Sequence, residues 1–346
     1  MDLSIHLLLT QDGLTNGAIY ALISLALVLV FAVTRVIFIP QGEFVAFGAL
    51  TLAGLQSGAV PPTLWMLLVL GGLVVLGDGV KALRQGAFTG FPKTLAFNLG
   101  YPLALAGLLH AVPLTGLPIL AQVVLALMLT VPLGPMIYRL AYEPVAEGSV
   151  LFLLIVSVTV HMVLMGMGLF FFGAEGVRTP AFTDGGFELG PVSVQWQTVW
   201  VLGVTVLLIG GLFAFFERTL YGKALRATAI NRVGARLMGI PTEMAGKLSF
   251  ALAAFIGALC GILIAPITTV YYDSGFLIGL KGFVGAIIGG LASYPVAAVG
   301  SVLVGMLESY ASFWASAYKE VVVFTLIIPV LWWRSLHTQH GDEEEH

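Results

Sequence analysis

Five polar or ionisable side chains stand inside long apolar segments and are the first candidates for chemistry: Asn16, Gln41, Glu43, His161 and Glu308. Their side chains can donate or accept hydrogen bonds, and the acids and the histidine can also exchange a proton. In a lipid-embedded segment such a group is costly, and its default interpretation is a position on a path for ions or polar solutes. A structural role competes in each case, since Glu43 can cap a helix start and His161 can be a satisfied core histidine.

The positions of Asp78 and Glu308 in the sequence suggest partners for these two acids. Lys81 follows Asp78 by about one helical turn, and side chains at that separation are neighbours on a helix, so a local ion pair is expected. Glu308 lies near the outer end of an apolar segment, where it is expected to pair with Lys319 or with helices from residues 58–116.

No constellation for catalysis is present in the sequence. There is no G-x-x-x-x-G-K-[ST] motif, so the chain does not hydrolyse nucleotide by a P-loop of its own. No nucleophilic triad, pair of catalytic carboxylates or metal-ligand spacing occurs, and the single cysteine, Cys260, reads as a small buried hydrophobe. The acidic tail 335–346 is predicted to be disordered. We expect neither an enzyme nor a cofactor or metal bound to this chain.

The composition of the chain indicates whether the segments that carry these polar side chains lie in water or in lipid. The chain is 59% hydrophobic and only 10% charged, with a mean hydropathy of +1.01, whereas a soluble domain carries about 25% charged residues. Most of its surface must therefore face lipid. The net charge of −3 gives no reason to expect a nucleic-acid partner. The prediction is an all-α, polytopic membrane protein with a single transmembrane domain over residues 1–346.

Apolar stretches of the length of a membrane span recur along the chain. A spanning helix needs about 20 mostly apolar residues. A further stretch, 279–311, is interrupted at Ala292-Ser293-Tyr294-Pro295 and predicts two tilted helices or a broken, re-entrant pair. We therefore expect about ten membrane elements, some broken or re-entrant, with candidate spans at 14–35, 41–57, 63–83, 94–112, 117–138, 150–172, 197–216, 247–267 and 321–333.

Basic residues orient these spans. When 217–246 is taken as cytoplasmic, only Arg178, Lys281 and Lys319 of the 15 Lys and Arg residues fall outside or near the outer ends. This bias follows the positive-inside rule and places the N-terminus outside and the C-terminus inside. The polar segment 174–196 then lies outside, and its Gly185-Gly186 turn signal predicts a small hairpin.

The segment "LYGKALRATAINRVGARLMGIP" (220–241) is a long polar stretch with Lys223, Arg226, Arg232 and Arg236 and no acid. Residues 223–238 can form one helix, or Asn231 can cap a second short helix after a bend. Gly239 ends the helix in either case, and Pro241 discourages its continuation.

Three interpretations of this segment compete. Apolar residues at helical spacing, Ile230, Val233 and Leu237, form a narrow stripe beside the basic edge. The segment can lie on anionic lipid headgroups, or it can dock a cytoplasmic partner. Alternatively, its basic residues only follow the positive-inside rule and have no further role. Residue chemistry alone leaves these alternatives nearly balanced.

Glycines recur through one later segment at spacings that place them on one side of a helix: Gly279, Gly282, Gly285 and Gly289. Such a strip lets another helix backbone approach closely. Plain helix packing is the favoured interpretation. A sliding contact at a gate is the alternative.

Three segments carry a family resemblance: "GLTNGAIYALISLALVLVFAVTRVIFIPQGEFVAFGAL" (13–50), "FGAEGVRTPAF…FELGPVSVQ" (172–195), and "ERTLYGKALRATAINRVGARLMGI" (217–240) followed by "GLKGFVGAIIGGLASYPVAAVGSVLVGMLE" (279–308). Together they resemble the LivH-type permease subunits of branched-chain amino acid ABC importers. The order and spacing agree through most of the chain, and the third match is the most specific.

The resemblance implies partners and roles. It implies a bacterial inner-membrane permease that works with two cytoplasmic ATPase subunits, a second permease subunit (LivM-type or a copy of this chain) and a periplasmic binding protein. ATP would be used by those partner subunits. Segment 217–246 would be the coupling loop, and 174–196 would dock the binding protein. The residues that it implies for ATPase coupling are Arg226, Asn231, Arg232, Ala235, Arg236 and Gly239.

One region departs from the family pattern. Residues 58–116 contain more hydrophobic sequence than the family usually has there and predict an extra helical pair. The departure leaves the cargo open between branched-chain amino acids and urea, short amides or aromatic acids. An ion-coupled secondary transporter is the alternative function, because Glu43 and Glu308 could serve coupling ions.

Overall fold

A computed structural model describes residues 3–86, 90–190 and 192–338. These residues are predominantly helical, so the predicted all-α polytopic fold is confirmed. The α-helices, in chain order, are α1 (Leu3–Thr34), α2 (Gln41–Gln56), α3 (Thr63–Gln85), α4 (Phe91–Leu95), α5 (Tyr101–Ala111), α6 (Ile119–Thr130), α7 (Leu133–Ile137), α8 (Val150–Phe172), α9 (Trp196–Arg218), α10 (Leu220–Ile230), α11 (Arg232–Leu237), α12 (Thr242–Ile264), α13 (Ser274–Ile288), α14 (Tyr294–Trp314), α15 (Lys319–Thr325) and α16 (Ile327–Thr338).

Eight spans in the described part of the chain are long and apolar enough to cross a membrane. They are α1, α3, α4 joined to α5, the span from 119 to 145 that includes α6 and α7, α8, α9, α12 and α14. Segment 41–57, counted from the sequence as a span, is a helix of only 16 residues. Segment 321–333 is divided between α15 and α16. The remaining expected elements are therefore short helices that complete the bundle without crossing alone.

The short helices α2 and α13 are discontinuous elements whose first turns meet inside the protein. With 16 and 15 residues they are shorter than the roughly 20 that a full crossing needs. A Cβ added to Gly42 would lie 2.0 Å from the carbonyl oxygen of Gly275, and the reverse holds for Gly275. Only residues without side chains allow this approach. His161, at the centre of α8, touches both helix starts, which places the junction near mid-span.

Non-helical segments lead into both discontinuous helices. Residues 35–40 connect α1 to α2, and residues 265–273 connect α12 to α13. Val36, Phe38 and Val270 are at most 2% exposed. Non-helical backbone at membrane depth is tolerated only where protein or a water-filled cavity covers it, and protein covers these three residues.

The two halves of the chain use the same arrangement of a long helix, an extended return and a short helix. The halves interlock crosswise, because α2 packs along α12 and α13 packs along α1. A Cβ on Gly261 of α12 would lie 1.8 Å from the Val45 carbonyl oxygen, and a Cβ on Gly282 of α13 would lie 2.5 Å from the Ile23 side chain. Val33 near the end of α1 clusters with Ala245 near the start of α12, so the units run in opposite directions. Sequence inspection did not detect this inverted repeat.

The glycines of α13 each meet a different neighbour. Gly279 lies against Gly42 of α2 and Gly282 against α1, whereas Gly285 and Gly289 lie against Ser301 and Ala297 of α14. The glycine positions thus serve contacts with three helices. Close packing of helix backbones at these glycines agrees with the interpretation that the sequence analysis favoured, plain helix packing.

Two faces of the bundle can be distinguished. The end of α1 and the start of α14 line one cavity with α9 and α10, so they share a face with segment 217–246. At the opposite end of α12, β1 (Gly186–Leu189) and β2 (Val192–Gln195) form an antiparallel hairpin with Leu189 opposite Val192. The hairpin predicted within 174–196 therefore forms. Gln197 ties it to α12 by donating to the Leu263 carbonyl oxygen over 2.9 Å.

Two peripheral regions, residues 58–116 and the C-terminal tail, were also the subject of sequence predictions. Residues 58–116 contain α3 and the α4–α5 span, which meet where a Cβ on Gly71 would lie 1.9 Å from the Asn98 carbonyl oxygen. The tail predicted to be disordered from 335 is still helical through Thr338, so that boundary was wrong. Residues 339–346 lie outside the described residues.

The closest helix pair yields a stability prediction. In the α1–α14 contact, a Cβ on Gly305 would lie 2.3 Å from the Gly17 nitrogen and 2.5 Å from the Gly13 carbonyl oxygen. Gly305→Leu should therefore separate the helices and lower the free energy of unfolding by about 1–3 kcal/mol or more. Thermal unfolding in detergent measures this loss. The control Gly203→Leu, where an added Cβ meets open space, should unfold like the unsubstituted protein.

Candidate functional site

A carboxylate–imidazole pair occupies the junction of the two discontinuous helices. Glu43 and His161 are 2% and 3% exposed. The His161 Nδ1–H donates to Glu43 Oε1 over 2.6 Å, because a carboxylate only accepts. Glu43 stands in the first turn of α2, where the helix dipole favours negative charge. Its observed hydrogen-bond partner is the imidazole, and no side chain caps α2.

Two acceptors beside this junction are unsatisfied. Gln41 donates from Nε2 to the Ala253 carbonyl oxygen over 2.9 Å, and its Oε1 has no partner among the described residues. Glu43 Oε2 is likewise buried without a hydrogen bond there. A buried acceptor left unpaired costs about 1–3 kcal/mol. The site therefore has unused capacity to accept hydrogen bonds at mid-depth.

Aromatic side chains close the junction. The Phe276 ring, from the first turn of α13, stacks on the His161 ring with centroids 4.4 Å apart. On the side toward the start of α12, the Phe38 ring lies 4.6 Å from Phe250 and 5.9 Å from Tyr142. None of these aromatic positions was predicted as part of a site. In this conformation the pair is sealed from the face that carries 217–246.

A second buried network surrounds Glu308. Lys281 Nζ donates to Glu308 Oε1 over 2.5 Å and to Glu320 Oε1 over 3.1 Å. The Tyr20 hydroxyl donates to Glu308 Oε2 over 2.5 Å. The expected pairing of Glu308 with Lys319 or with 58–116 was therefore wrong. Both Glu308 oxygens are satisfied, so the arrangement favours a structural tie between α1, α13, α14 and α15.

Lys281 was also misplaced by the sequence interpretation, which put it outside or near an outer end. The residue is only 6% exposed and lies inside the helix bundle. A lysine in an apolar, glycine-rich segment is itself a signal of a buried counter-charge. The partner could not be identified because Glu308 and Glu320 belong to later helices.

The remaining polar candidates lie apart from the junction pair. Asn16 is half-buried in α1, and no hydrogen bond joins it to Glu43 or His161 in the described structure. Asp78 forms its ion pair with Arg139, so the expected pairing with Lys81 was wrong. Sequence spacing favoured the neighbour on the same helix, whereas tertiary packing supplied an arginine from another.

The segment 220–239 contains two short helices with a bend between them. Asn231, with φ −146° and ψ 98°, ends α10 and caps α11 by accepting from the Gly234 N–H over 2.8 Å. A single helix over 223–238 is thereby excluded, and the alternative with a capped second helix holds. Gly239 adopts φ +80° and ends the element, as a glycine readily does.

The surface of this element is an apolar knob, defined as Ile230, Val233, Leu237 and Met238. These side chains are 78%, 70%, 82% and 83% exposed. Ala235 is only 5% exposed, so it faces the protein and cannot contribute directly to a docking surface. The knob presents its large apolar side chains outward.

The arginines beside the knob are engaged within the chain. Arg232 Nη1 donates to the Ala146 carbonyl oxygen over 3.1 Å, and Arg236 Nη1 lies 3.5 Å from Glu147 Oε1. Arg226 pairs with Glu217 at 2.9 Å. Because Arg232 and Arg236 bind the loop at 146–147 and Arg226 binds the end of α9, these cations hold the knob in place. This engagement weakens the interpretation of the element as a basic face lying on lipid headgroups.

Metal ligation has no candidate site in the part of the chain that the structure describes. No three side chains of His, Cys, Asp and Glu cluster there in a way that could hold a metal ion.

The Lys281 network yields a prediction about stability. Lys281→Met removes the counter-charge of two carboxylates, and breaking a buried ion pair in this way costs about 3–5 kcal/mol. The variant should melt at a clearly lower temperature in detergent. Lys281→Met combined with Glu308→Gln should recover part of the loss. Lys319→Met, at a half-buried lysine with no ion pair among the described residues, is the control, and an equal loss there would contradict the assignment.

Comparison with known proteins gives one consistent family. Residues 9–331 match the family described as branched-chain amino acid transport system / permease component. The permease protein BraD of the high-affinity branched-chain amino acid transport system of Pseudomonas aeruginosa is 29% identical over 291 residues, covering 82% of this chain and 94% of the relative. LivH of Escherichia coli K12 is 25% identical over 329 residues, covering 92% and 91%.

A more distant likeness is to LsrC, the autoinducer 2 import system permease protein of Salmonella paratyphi B, at 30% identity over 162 residues, 46% of this chain and 41% of the relative. No solved structure matches. The match over residues 9–331 agrees with a permease subunit of an ABC importer and disfavours an ion-coupled transporter, and the eight candidate spans agree with a multi-pass membrane protein. This chain belongs to the family of permease components of branched-chain amino acid transport systems.

Proposed function

We propose that this permease moves a branched-chain or other hydrophobic amino acid across a bacterial inner membrane into the cytoplasm. The observation that carries the proposal is the Glu43–His161 junction, where two buried acceptors lack donors beside two helix N-termini. An amino acid in its zwitterionic form offers an ammonium group to such acceptors and a carboxylate to helix N-termini. Urea and simple amides have neither charge.

The apolar part of the cargo also has a chemical counterpart. Phe276, Phe38 and Phe44 approach the junction from both discontinuous helices and the segment before α2. These rings can contact an aliphatic side chain once the junction opens. The names of relatives include both branched-chain amino acid and autoinducer 2 systems, so the choice of an amino acid rests on the chemistry of the site.

Coupling to ATP hydrolysis is assigned to the apolar knob. Two cytoplasmic ATPase subunits would bind the knob of this chain and that of a second permease subunit, which is LivM-type or a second copy. Movement of α11 reaches the membrane helices directly, because α10 follows α9 and α12 starts at Thr242. Each partner shifts the conformational equilibrium only as far as it binds one state better than the other. No cofactor is assigned to the permease itself.

The hairpin face is assigned to a periplasmic binding protein. Segment 174–196 lies at the end of α12 opposite the knob, and its backbone is fixed by pairing of Val177 with Val270 through N–O distances of 2.9 and 2.8 Å. A docking partner at this end would transmit force to the extended segment 265–273 and hence to α13. The same partner would deliver the cargo above the junction.

Co-purification tests the two docking assignments together. Val233→Asp with Leu237→Asp places two charges in the apolar knob and should remove the ATPase from the purified complex, while binding-protein affinity stays unchanged. Glu188→Arg on the exposed hairpin should have the opposite pattern. Full retention of the ATPase by the knob variant would refute the coupling assignment.

Uptake by the reconstituted importer tests the junction. Glu43→Gln removes the negative acceptor, and loss of a hydrogen bond to a charged group is worth about 1.5–3 kcal/mol. Leucine uptake should therefore fall roughly tenfold or more, with ATPase binding retained. Thr159→Ala, on the same helix as His161 but exposed and bonded to the Ile155 carbonyl oxygen of its own helix over 3.0 Å, serves as the control. Unchanged uptake by Glu43→Gln would exclude the junction as the amino acid site.

A further inference from the structure

A large cavity lies away from the Glu43–His161 junction, on the face of the knob. Its volume is about 750 Å³, within the range of roughly 300–1,000 Å³ typical of small-molecule sites. The end of α1, the last turns of α9, helix α10 and the start of α14 form its walls. No residue of the junction or of the Lys281 network lines it.

The walls are apolar and open to one side. Leu29 of α1 and Leu212 and Phe216 of α9 form much of the surface. Phe213, also in the wall, is 68% exposed, so the cavity opens sideways between the membrane helices. A long apolar chain could enter from the bilayer without crossing a polar barrier.

Polar groups also line the cavity. Arg35 lines it and has no ion pair among the described residues, whereas Arg226 shares its charge with Glu217 at 2.9 Å. At the start of α14, Pro295 has no N–H and the Ala297 N–H donates to the Ser293 carbonyl oxygen over 3.0 Å, which leaves the N–H groups of Tyr294 and Val296, and Ser293 does not cap them with its side chain. Tyr294, the first residue of that helix, presents a hydroxyl without a hydrogen bond in the described structure. Cations, free N–H groups and a hydroxyl together fit an anion.

Backbone strain marks the same place independently. Within the described residues only Arg35 and Leu291 combine a side chain with positive φ, at 62° and 56°. Both line this cavity. Left-handed backbone disfavours residues other than glycine, and such strain clusters at ligand clamps and switch regions. Arg35, which has no ion pair among the described residues, therefore adopts a backbone conformation that glycine adopts more easily.

We propose that this cavity binds one anionic glycerophospholipid of the cytoplasmic leaflet. The phosphate lies between Arg35, Arg226 and the start of α14, and an acyl chain lies along α1 and α9. Basic pockets between membrane helices on the cytoplasmic side recognise anionic headgroups in this way. The combination of cationic side chains with an apolar, laterally open wall selects a lipid over free phosphate. The leaflet assignment rests on the proposed function, which makes the knob face cytoplasmic.

Thermal unfolding of the purified, delipidated permease tests the proposal without any ATPase. Added phosphatidylglycerol should raise the melting temperature by roughly 2–4 °C, because a ligand that binds only the folded state stabilises it. Phosphatidylcholine with the same acyl chains and inorganic phosphate alone should each give less than half of this shift. Arg35→Gln should lose the response to phosphatidylglycerol. Arg84→Gln, at an exposed arginine in the last turn of α3, should keep it.

A second variant separates lipid binding from folding. Arg35→Gly relieves the positive-φ strain and should melt at or above the temperature of the unsubstituted protein without lipid, yet fail to respond to phosphatidylglycerol. Equal shifts with both lipids, a full shift with phosphate alone, or an unchanged response in both Arg35 variants would each overturn the proposal. Failure of the ATPase co-purification test leaves this result unaffected, so the two proposals fail separately.

Discussion

The approach of Gly42 to Gly275 is the contact on which the rest of the structure depends. It brings the N-terminal ends of two helices together inside the bundle, and each end carries about half a positive charge from its unsatisfied N–H groups. Two such ends repel one another unless negative charge lies close by. Glu43 supplies that charge within the first turn of α2, and His161 holds the carboxylate from the centre of α8. The junction is therefore an electrostatic as well as a steric arrangement.

The crosswise packing of the two halves makes that junction possible. Because α2 packs along α12 and α13 along α1, neither half can bury its short helix alone. Glycines at these contacts let backbones touch, and aromatic rings fill the space that remains around Phe38 and Phe276. Smooth glycine contacts can shift with little unlocking of side chains. A conformational change that parts the two helix starts would expose Glu43 and Gln41 to a solute.

The bundle and the knob differ in how firmly they are tied to the rest of the molecule. The Lys281–Glu308–Glu320 network and the α1–α14 glycine contact tie the long helices together. By contrast, the knob lies on α11 and the end of α10, and a few arginine contacts to the loop at 146–147 hold it. A partner that binds the knob therefore acts on an element with few ties to the bundle. This division suits a subunit whose work is done by other proteins.

Local chemistry in the sequence determined the lipid-embedded helical class and the hairpin, since hydropathy and turn residues act over a few neighbouring positions. It offered the capped break at Asn231 as one of two alternatives and marked Glu43 and His161 as candidates without choosing their role. The pairing of Glu43 with His161, the partners of Glu308 and Asp78, and the aromatic seal depended on the tertiary structure. The sequence separation of 118 between Glu43 and His161 illustrates the reason. Spacing along a helix predicts neighbours one turn away, whereas buried charges choose partners by where separate helices pack. The inverted repeat escaped detection because it is a match of backbone arrangement, which many different apolar sequences can build.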